Sequence, residues 1–432
     1  PELKSGARSF TIGLMDKLVI RGGPGLRGEA RMSGAKNAVL PAIAASLLTG
    51  GEIRLTNVPR VKDVETILTL IADLGGAARA DGDAVSLRVP EIRSDEASYE
   101  LVRAMRASIL VLGPLVARFG KAVVALPGGC AIGSRPIDLH IAGLQKLGAT
   151  ISLDHGYIRA EAGRLRGAEI TFEKKTVTGT ENLLMAAALA KGETILRNCA
   201  REPEVADLAS LLNKMGAKIE WVDAETARVR GVRELGGADH AIIPDRIETG
   251  TFLVAGALAE GDVLVRGVVP EHVASVVDKL RASGASVEAE GADALRVAGG
   301  REVRPQDITT SPYPGFPTDM QAQFMVLLTQ AEGTSIITET IFDRRFSHVN
   351  ELVRLGAAIE VQGDKAVVRG RTPLSGAEVV ATDLRASAAL VLAGLVAAGE
   401  TTVTEIDHLD RGYERIEEKL RGLGAAIERV PA

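Results

Sequence analysis

Apolar and polar positions recur in a fixed order along the chain. A stretch rich in Ala and Leu, such as Glu181–Lys191, is followed by a run of β-favouring residues, such as Glu193–Arg197. An amphipathic stretch such as Glu204–Met215 comes next, and a glycine ends it before a further β-run. Glycine suits the left-handed conformation that often follows the last turn of a helix. The pattern therefore predicts an α/β unit of helix, strand, helix and strand.

A Gly-Ala pair after the amphipathic stretch marks each copy of this unit, and successive pairs lie 68 or 72 residues apart. The six glycines are Gly76, Gly148, Gly216, Gly284, Gly356 and Gly424. Because a unit of this length can bury a small core of its own, we expect closed α/β domains rather than a solenoid.

The last copy of the unit ends early. It stops at Ile427–Val430, where an earlier copy continues into the β-run Ala366–Gly370. The segment Lys17–Gly22, near the other end of the chain, has the composition of the missing strand. We therefore predict that this N-terminal strand completes the last repeat and that one domain contains both ends of the chain.

The length of 432 residues also favours two domains, because a single hydrophobic core stops growing at about 250–300 residues. We expect residues 15–35 and 244–432 to form one domain and residues 36–243 the other, with three repeats in each. We expect residues 1–14 to be either an N-terminal extension or a remnant of cloning, outside the fold in both cases.

Composition and charge exclude several classes of protein. The formal net charge of -5 gives no global electrostatic argument for nucleic-acid binding. Apolar stretches are too short to cross a bilayer of about 30 Å, so no membrane span is expected. The two cysteines, Cys130 and Cys199, argue against a disulfide framework and for a reducing, cytoplasmic location.

Common cofactor and metal motifs are missing or weak. Gly23–Gly28 matches G-x-G-x-x-G, but the following Glu29–Ser33 looks extended where a dinucleotide site needs a helix, so a plain turn is favoured. The sequence has no P-loop, no G-x-S-x-G elbow and no histidine pair with metal-binding spacing. We predict neither a cofactor nor a catalytic metal.

Cationic residues accompany the start of the first helix in several repeats, as in Ser33–Asn37, Met105–Ser108 and Leu384–Ser387. Backbone N–H groups at a helix start favour anions, so converging starts would form an anion pocket. Ordinary caps with solvated cations are the alternative. Asp319 occupies such a start and is either a cap or a general base.

Three glycines surround Cys130 in the stretch Leu126–Arg135. Glycines allow a lid to move, and a nearby guanidinium favours the reactive thiolate. A small buried hydrophobe is the commoner role of a lone cysteine, and we assign that role to Cys199.

Together these motifs resemble those of the UDP-N-acetylglucosamine 1-carboxyvinyltransferase family of enolpyruvyl transferases, from about Met15 to Val430. The resemblance is carried by Ser33–Asn37, Pro127–Cys130, Arg135–His140, Phe316–Met320, Ala381–Ser387 and Asp410–Arg415.

The resemblance implies two inside-out α/β domains, each of three repeated α/β units, with the active site in the interdomain cleft. It implies transfer of enolpyruvyl from phosphoenolpyruvate to the 3′-hydroxyl of UDP-N-acetylglucosamine, with release of phosphate through a tetrahedral intermediate. This is the first committed step of peptidoglycan synthesis, on which cell-wall biogenesis, cell shape and cell division depend. It also implies that fosfomycin would alkylate Cys130.

The same resemblance assigns residues. Cys130 resembles the general acid and Asp319 the base, while Lys36, Arg135 and Arg411 match ligands of phosphate and carboxylate, with Asp383 and Arg385 beside them. Positions matching the UDP-sugar site are Asn37, Arg106, Arg135, Pro136, Ile137, Asp138, Leu139, His140, Lys174, Thr176, Val177 and Ile341. The stretch Lys174–Gly179 departs from the serine-valine-glycine pattern that is commoner there.

Two rival functions are considered. One is transfer of enolpyruvyl to shikimate 3-phosphate by the sister family, which has no comparable cysteine loop. The other is a catalytically dead UDP-sugar sensor, which the joint presence of Lys36, Cys130, Asp319, Arg385 and Arg411 disfavours.

Overall fold

The computed structural model describes residues 16–23, 25–126 and 137–431, and these divide into two compact units. The first unit comprises residues 34–126 and 137–243, and the second comprises residues 16–33 and 244–431 apart from position 24. The chain passes from the second unit to the first after Ser33. The boundary expected from the sequence was two residues later, after position 35.

The described part of the first unit contains three four-stranded sheets. Their strands are Ala238–Ala241, Glu52–Thr56, Ala84–Arg88 and Ala77–Asp81; Glu96–Ala97, Lys121–Ala125, Tyr157–Glu161 and Thr150–Asp154; and Glu169–Thr171, Glu193–Arg197, Thr226–Arg230 and Lys218–Asp223. The helices are Lys36–Ala45, Lys62–Asp73, Tyr99–Ala104, Leu112–Phe119, Asp138–Lys146, Val177–Ala188 and Pro203–Lys214, with 3₁₀ turns at Ser46–Leu48 and Arg106–Val111.

The described part of the second unit also contains three four-stranded sheets. Their strands are Arg27–Arg31, Asp262–Arg266, Ala294–Ala298 and Ser286–Ala289; Ile308–Thr309, Gly333–Thr338, Lys365–Gly370 and Ala358–Gln362; and Glu378–Val380, Glu400–Thr404, Lys17–Arg21 and Ala426–Val430. The helices are Arg246–Ala257, Ala274–Ala282, Gln321–Thr329, Val349–Arg354, Leu384–Val396, Asp407–Asp410 and Ile416–Gly422, with 3₁₀ turns at Leu258–Glu260, Pro270–Val273 and Thr318–Met320.

Every sheet has the same strand pattern. In the third sheet of the first unit, Glu169–Thr171 runs parallel to Glu193–Arg197, which pairs antiparallel with Thr226–Arg230 and, beyond it, Lys218–Asp223. The sixfold α/β repeat is thus confirmed. Among the first strands, Arg27–Arg31 overlaps the stretch Glu29–Ser33 that looked extended, whereas the first strands of two to four residues were not predicted, because so few residues carry too little alternation to identify a strand.

Strands from the ends of each unit complete its sheets. Lys17–Arg21 pairs antiparallel with both Glu400–Thr404 and Ala426–Val430, so the predicted completion of the last repeat by the N-terminal strand is confirmed. In the first unit, Ala238–Ala241 pairs parallel with Glu52–Thr56 and so returns the end of the unit to its first sheet.

The Ala/Leu-rich helices form the centre of each unit. Val177–Ala188 is buried from Gly179 onward and packs against Leu112–Phe119, and Leu384–Val396 packs in the same way against Gln321–Thr329. A helix that is buried on all sides must be surrounded by protein, whereas the amphipathic Pro203–Lys214 keeps part of its surface exposed. Among the helices of the described residues, none has the length and apolarity needed to span a membrane.

Candidate active site

Lys36 is held by a buried carboxylate in the first unit. It is the first residue of helix Lys36–Ala45, and its Nζ lies 2.6 Å from Oδ2 of Asp63. The two side chains are only 13% and 4% exposed, so Lys36 is not the solvated cation of the alternative interpretation. Ala35 contributes no side-chain cap, and Asn37 follows as a half-buried residue. The ammonium group therefore stands at the positive end of a helix, which favours an anion.

His140 joins two of the predicted substrate segments. Its Nε2 lies 3.2 Å from Oγ1 of Thr178, so the segment that begins at Ile137 lies against the start of helix Val177–Ala188. On the other side of the ring, Nδ1 lies 3.0 Å from Nδ2 of Asn182. The sequence-predicted stretches 137–140 and 174–177 are therefore neighbours in this unit.

The hydrogen bonds of Asn182 assign the proton on His140. The backbone N–H of Gly113 donates to Oδ1 of Asn182 at 2.7 Å, so the amide nitrogen faces Ile109 O and the histidine ring. Nδ1 then accepts, and Nε2 carries the proton and donates to Thr178. Burial lowers the pKa of His140 to about 4, so the ring is neutral at physiological pH.

The other candidates of this unit differ in exposure. Thr176 caps helix Val177–Ala188 by accepting a hydrogen bond from the Gly179 N–H at 3.1 Å. Val177, Ile137 and Leu139 are half-buried, Asp138 and Lys174 are exposed, and Arg106 begins the 3₁₀ turn Arg106–Val111. Cys130, Arg135 and Pro136 lie outside the described residues.

Asp319 lies between two guanidinium groups in the second unit. It is part of the turn Thr318–Met320, which precedes helix Gln321–Thr329. Its Oδ1 lies 2.8 Å from Nη2 of Arg345, and its Oδ2 lies 3.2 Å from Nε of Arg385. Both arginine side chains are almost fully buried, at 6% and 4% exposed, while Asp319 keeps 25% exposure. Two fixed positive charges favour an ionised carboxylate that solvent or a ligand can still reach.

Arg385 is buried at the start of helix Leu384–Val396. Asp383 caps this helix, since its Oδ1 accepts hydrogen bonds from the N–H groups of Arg385 and Ala386 at 2.8 and 3.0 Å. The guanidinium carbon lies 5.2 Å from the ring centre of Tyr413. Burial acts to lower the pKa of Arg385, but Tyr413, Asp319 and Asp245 outweigh it, so that the pKa is raised and the charge persists. Its buried Nη1 has no hydrogen-bond partner among the described residues.

Arg345 was missed by the sequence analysis. It binds Asp319 as directly as Arg385 does, and its Nη1 also donates to Oγ1 of Thr318 at 2.8 Å. The available signal was the pair of arginines, Arg344 and Arg345, that follows strand Gly333–Thr338. Nothing in that pattern distinguishes a buried arginine from a solvated one.

Two further predicted residues lie in the second unit. Ile341 is 37% exposed, and its N–H donates to Oε1 of Glu339 at 2.8 Å. Arg411 follows the short helix Asp407–Asp410 and is half-buried. Within the described ranges, no three His, Cys, Asp or Glu side chains are placed to hold a metal ion.

Cys199, in the first unit, has the buried role that was expected. Its side chain is fully buried, and its thiol lies 3.4 Å from the Leu196 carbonyl oxygen. Burial raises the pKa of Cys199 to about 11, so almost no reactive thiolate forms at neutral pH.

Comparison with known proteins identifies the family. The family model described as EPSP synthase (3-phosphoshikimate 1-carboxyvinyltransferase) matches residues 20–420. The UDP-N-acetylglucosamine 1-carboxyvinyltransferase of Koribacter versatilis is 58% identical over 421 residues, which are 96% of this chain and 97% of its own. The protein of that name from Anaeromyxobacter dehalogenans is 60% identical over 422 residues, 96% of this chain and 100% of its own. The chain belongs to the UDP-N-acetylglucosamine 1-carboxyvinyltransferase family.

Solved structures place this UDP-N-acetylglucosamine 1-carboxyvinyltransferase family member among enolpyruvyl transferases. The enolpyruvyl transferase NikO from Streptomyces tendae has a TM-score of 0.86 and 28% identity, and the match covers 97% of this chain and 100% of NikO. EPSP synthase from Acinetobacter baumannii has a TM-score of 0.72 at 17% identity, covering 96% of this chain and 100% of that one. The latter likeness concerns the fold alone.

Proposed function

We propose that this chain transfers the enolpyruvyl group of phosphoenolpyruvate to the 3′-hydroxyl of UDP-N-acetylglucosamine and releases phosphate. The observation that carries the proposal is the identity of 58–60% with proteins of that name across 96% of the chain. The reaction is the first committed step of peptidoglycan synthesis, and we infer a cytoplasmic location from its substrates.

The arginines around Asp319 suit an anionic substrate. Phosphoenolpyruvate carries a carboxylate and a phosphate, and buried guanidinium groups bind such anions through charge-assisted hydrogen bonds. Arg385 keeps its positive charge although it is buried, so it favours an anion beside it. Lys36 at its helix start and Arg411 are the other cations proposed to bind phosphate or carboxylate.

The proposed chemistry is addition followed by elimination. The sugar 3′-oxygen forms a bond to C2 of phosphoenolpyruvate and loses its proton to Asp319, while C3 gains a proton and the double bond is consumed. The adduct then loses a proton from C3 and phosphate from C2, which restores the double bond. Cys130, outside the described residues, is the proposed proton donor to C3 and the residue that fosfomycin would alkylate.

The two guanidinium groups on Asp319 would act during both steps. They hold the carboxylate ionised and therefore able to accept the hydroxyl proton. Because they are buried and fixed by neighbours, they would also stabilise negative charge on the departing phosphate with little reorganisation. The sugar nucleotide is proposed to bind the segments around His140 and Thr176.

Phosphate release tests the proposal against its rivals. Purified protein is mixed with phosphoenolpyruvate and either UDP-N-acetylglucosamine or shikimate 3-phosphate, and phosphate is measured with time. We expect phosphate release only in the mixture that contains UDP-N-acetylglucosamine. Release with shikimate 3-phosphate alone would assign the chain to the sister reaction. Binding of UDP-N-acetylglucosamine with no release from either mixture would indicate a sugar-nucleotide sensor.

A further inference from the structure

Glu339 is a buried carboxylate that collects donors from three segments of the second unit. It is 4% exposed and follows strand Gly333–Thr338. Its Oε1 accepts from Oγ1 of Thr310 at 2.9 Å and from the N–H groups of Ile341 and Phe342 at 2.8 and 3.2 Å. Its Oε2 accepts from Oγ1 of Thr318 at 2.7 Å. Four donors on one side chain make a rigid junction.

The junction continues in one direction to Asp319. Because the Thr318 hydroxyl donates its hydrogen to Glu339, its oxygen lone pairs remain to accept from Arg345 Nη1, at 2.8 Å. The same guanidinium binds Asp319 through Nη2. It also stacks near Phe342, with its carbon 5.2 Å from the ring centre. Glu339 is thus linked to the proposed base through Thr318 and Arg345.

We propose that Glu339 is a positioning residue for the enolpyruvyl transfer, acting through Thr318 and Arg345 on Asp319. The inference rests on the proposed function. A guanidinium has many rotamers, and the hydroxyl of Thr318 selects the one that presents Nη2 to Asp319. Glu339 in turn fixes the direction of that hydroxyl. The same carboxylate holds the backbone of Ile341, a predicted substrate residue, so one side chain sets the geometry of both.

The variant Glu339→Gln separates these two tasks. Three donors point at Oε1, so an amide would place its oxygen there and its NH₂ group at the position of Oε2. The loop contacts then persist, but the NH₂ group can only donate to Thr318, so the hydroxyl loses its acceptor on residue 339 and is no longer held in the direction that presents its lone pairs to Arg345. The link to Arg345 is weakened while the surrounding packing is kept.

Steady-state kinetics of phosphate release test the proposal. We expect Glu339→Gln to lower kcat by about 10- to 100-fold, as small misplacements of catalytic groups do, with little change in KM for UDP-N-acetylglucosamine. Thr318→Val should lower kcat similarly, and Thr318→Ser, which keeps the hydroxyl, should restore most of it. The double variant Glu339→Gln/Thr318→Val should be no slower than Thr318→Val alone, because both changes remove the same link.

Thr329→Val is the matched control, since Thr329 is a buried threonine whose hydroxyl donates to the Val326 carbonyl oxygen at 2.7 Å and accepts from Nε2 of Gln330 at 2.9 Å, away from the contacts that link Glu339 to Asp319. It should keep wild-type kcat. A wild-type kcat for Glu339→Gln would overturn the proposal. So would a double variant in which Glu339→Gln lowers the kcat of Thr318→Val by the same factor as it lowers the kcat of wild type. If Glu339→Gln does not fold, a Thr318→Val enzyme as fast as Thr318→Ser would overturn it. Wild-type protein without turnover would overturn the proposed function and this inference together, whereas active wild type with unaffected variants overturns only the inference.

Discussion

Acidification should destabilise the first unit through His140. The ring is 3% exposed and neutral, with Nδ1 accepting from Asn182 and Nε2 donating to Thr178. Protonation would place a charge in a buried site and would turn Nδ1 into a donor facing another donor. Because of this cost, burial lowers the pKa of His140 from 6.5 to about 4 in the folded protein.

The magnitude follows from linkage. The unfolded chain binds this proton with a pKa of about 6.5, so between pH 6.5 and 4 it holds more protons at this site than the folded chain does. The folded-state pKa is depressed for a base, so its contribution to the free energy of unfolding falls as the pH falls. Integrated from pH 7 to pH 5, the loss is about 2 kcal/mol.

Trp221 offers a local assay. It is the single tryptophan of the chain, it lies in the first unit and it is half-buried, so its fluorescence reports unfolding of the unit that contains His140. Urea titrations at pH 7 and pH 5 give the free energy of unfolding of wild type and of His140→Asn. Between pH 7 and pH 5 the free energy of unfolding should fall by about 2 kcal/mol more for wild type than for the variant. This difference does not depend on how stable the variant is at pH 7.

His155→Asn is the matched control, because the His155 side chain is 92% exposed and lies in the same unit. Its pH dependence should equal that of wild type. Equal pH dependence of wild type and His140→Asn would refute the reasoning, since it would mean that His140 titrates alike in the folded and unfolded chain.

Two further predictions concern the reaction. Asp319→Asn should lower kcat for phosphate release by at least about 100-fold, because an amide accepts no proton, while calorimetry still detects UDP-N-acetylglucosamine binding; a wild-type rate would exclude the base role. Fosfomycin should add one alkyl group per chain by intact mass. The adduct should disappear in Cys130→Ala and persist in Cys199→Ala, because burial raises the pKa of Cys199 to about 11, and the reverse pattern would contradict both assignments.

The fold was predictable where a local pattern repeats. Each Gly-Ala pair follows an amphipathic helix, and positive φ at glycines such as Gly216 and Gly424 shows why glycine recurs there. The N-terminal strand was found because its partner repeat lacked one. Edge strands such as Glu96–Ala97 and Ile308–Thr309 could not be found, since their identity depends on the neighbour that they pair with rather than on their own residues.

The site was less predictable than the fold. Asp319 and Arg385 were found because each lies within a motif at a helix start. Hydrogen bonds between separate segments connect Thr318, Glu339 and Arg345. A sequence pattern does not show which of several arginines is buried against a carboxylate. The network that surrounds the proposed base therefore became visible only with the coordinates of all three segments.

The repeats of the second unit help to distinguish a cap from a candidate base. Asp245 and Asp383 begin the central helices of two repeats, and each accepts two backbone N–H groups of its helix. In the repeat between them the corresponding cap position is held by Pro317, which supplies no capping side chain, and Asp319 lies two residues further on, where both of its oxygens bind arginine side chains. Two aspartates thus stabilise helix ends, as that residue type usually does. The third lies beyond the cap position, where two arginines favour its ionised form and a quarter of its side chain stays exposed, so a hydroxyl group could reach it.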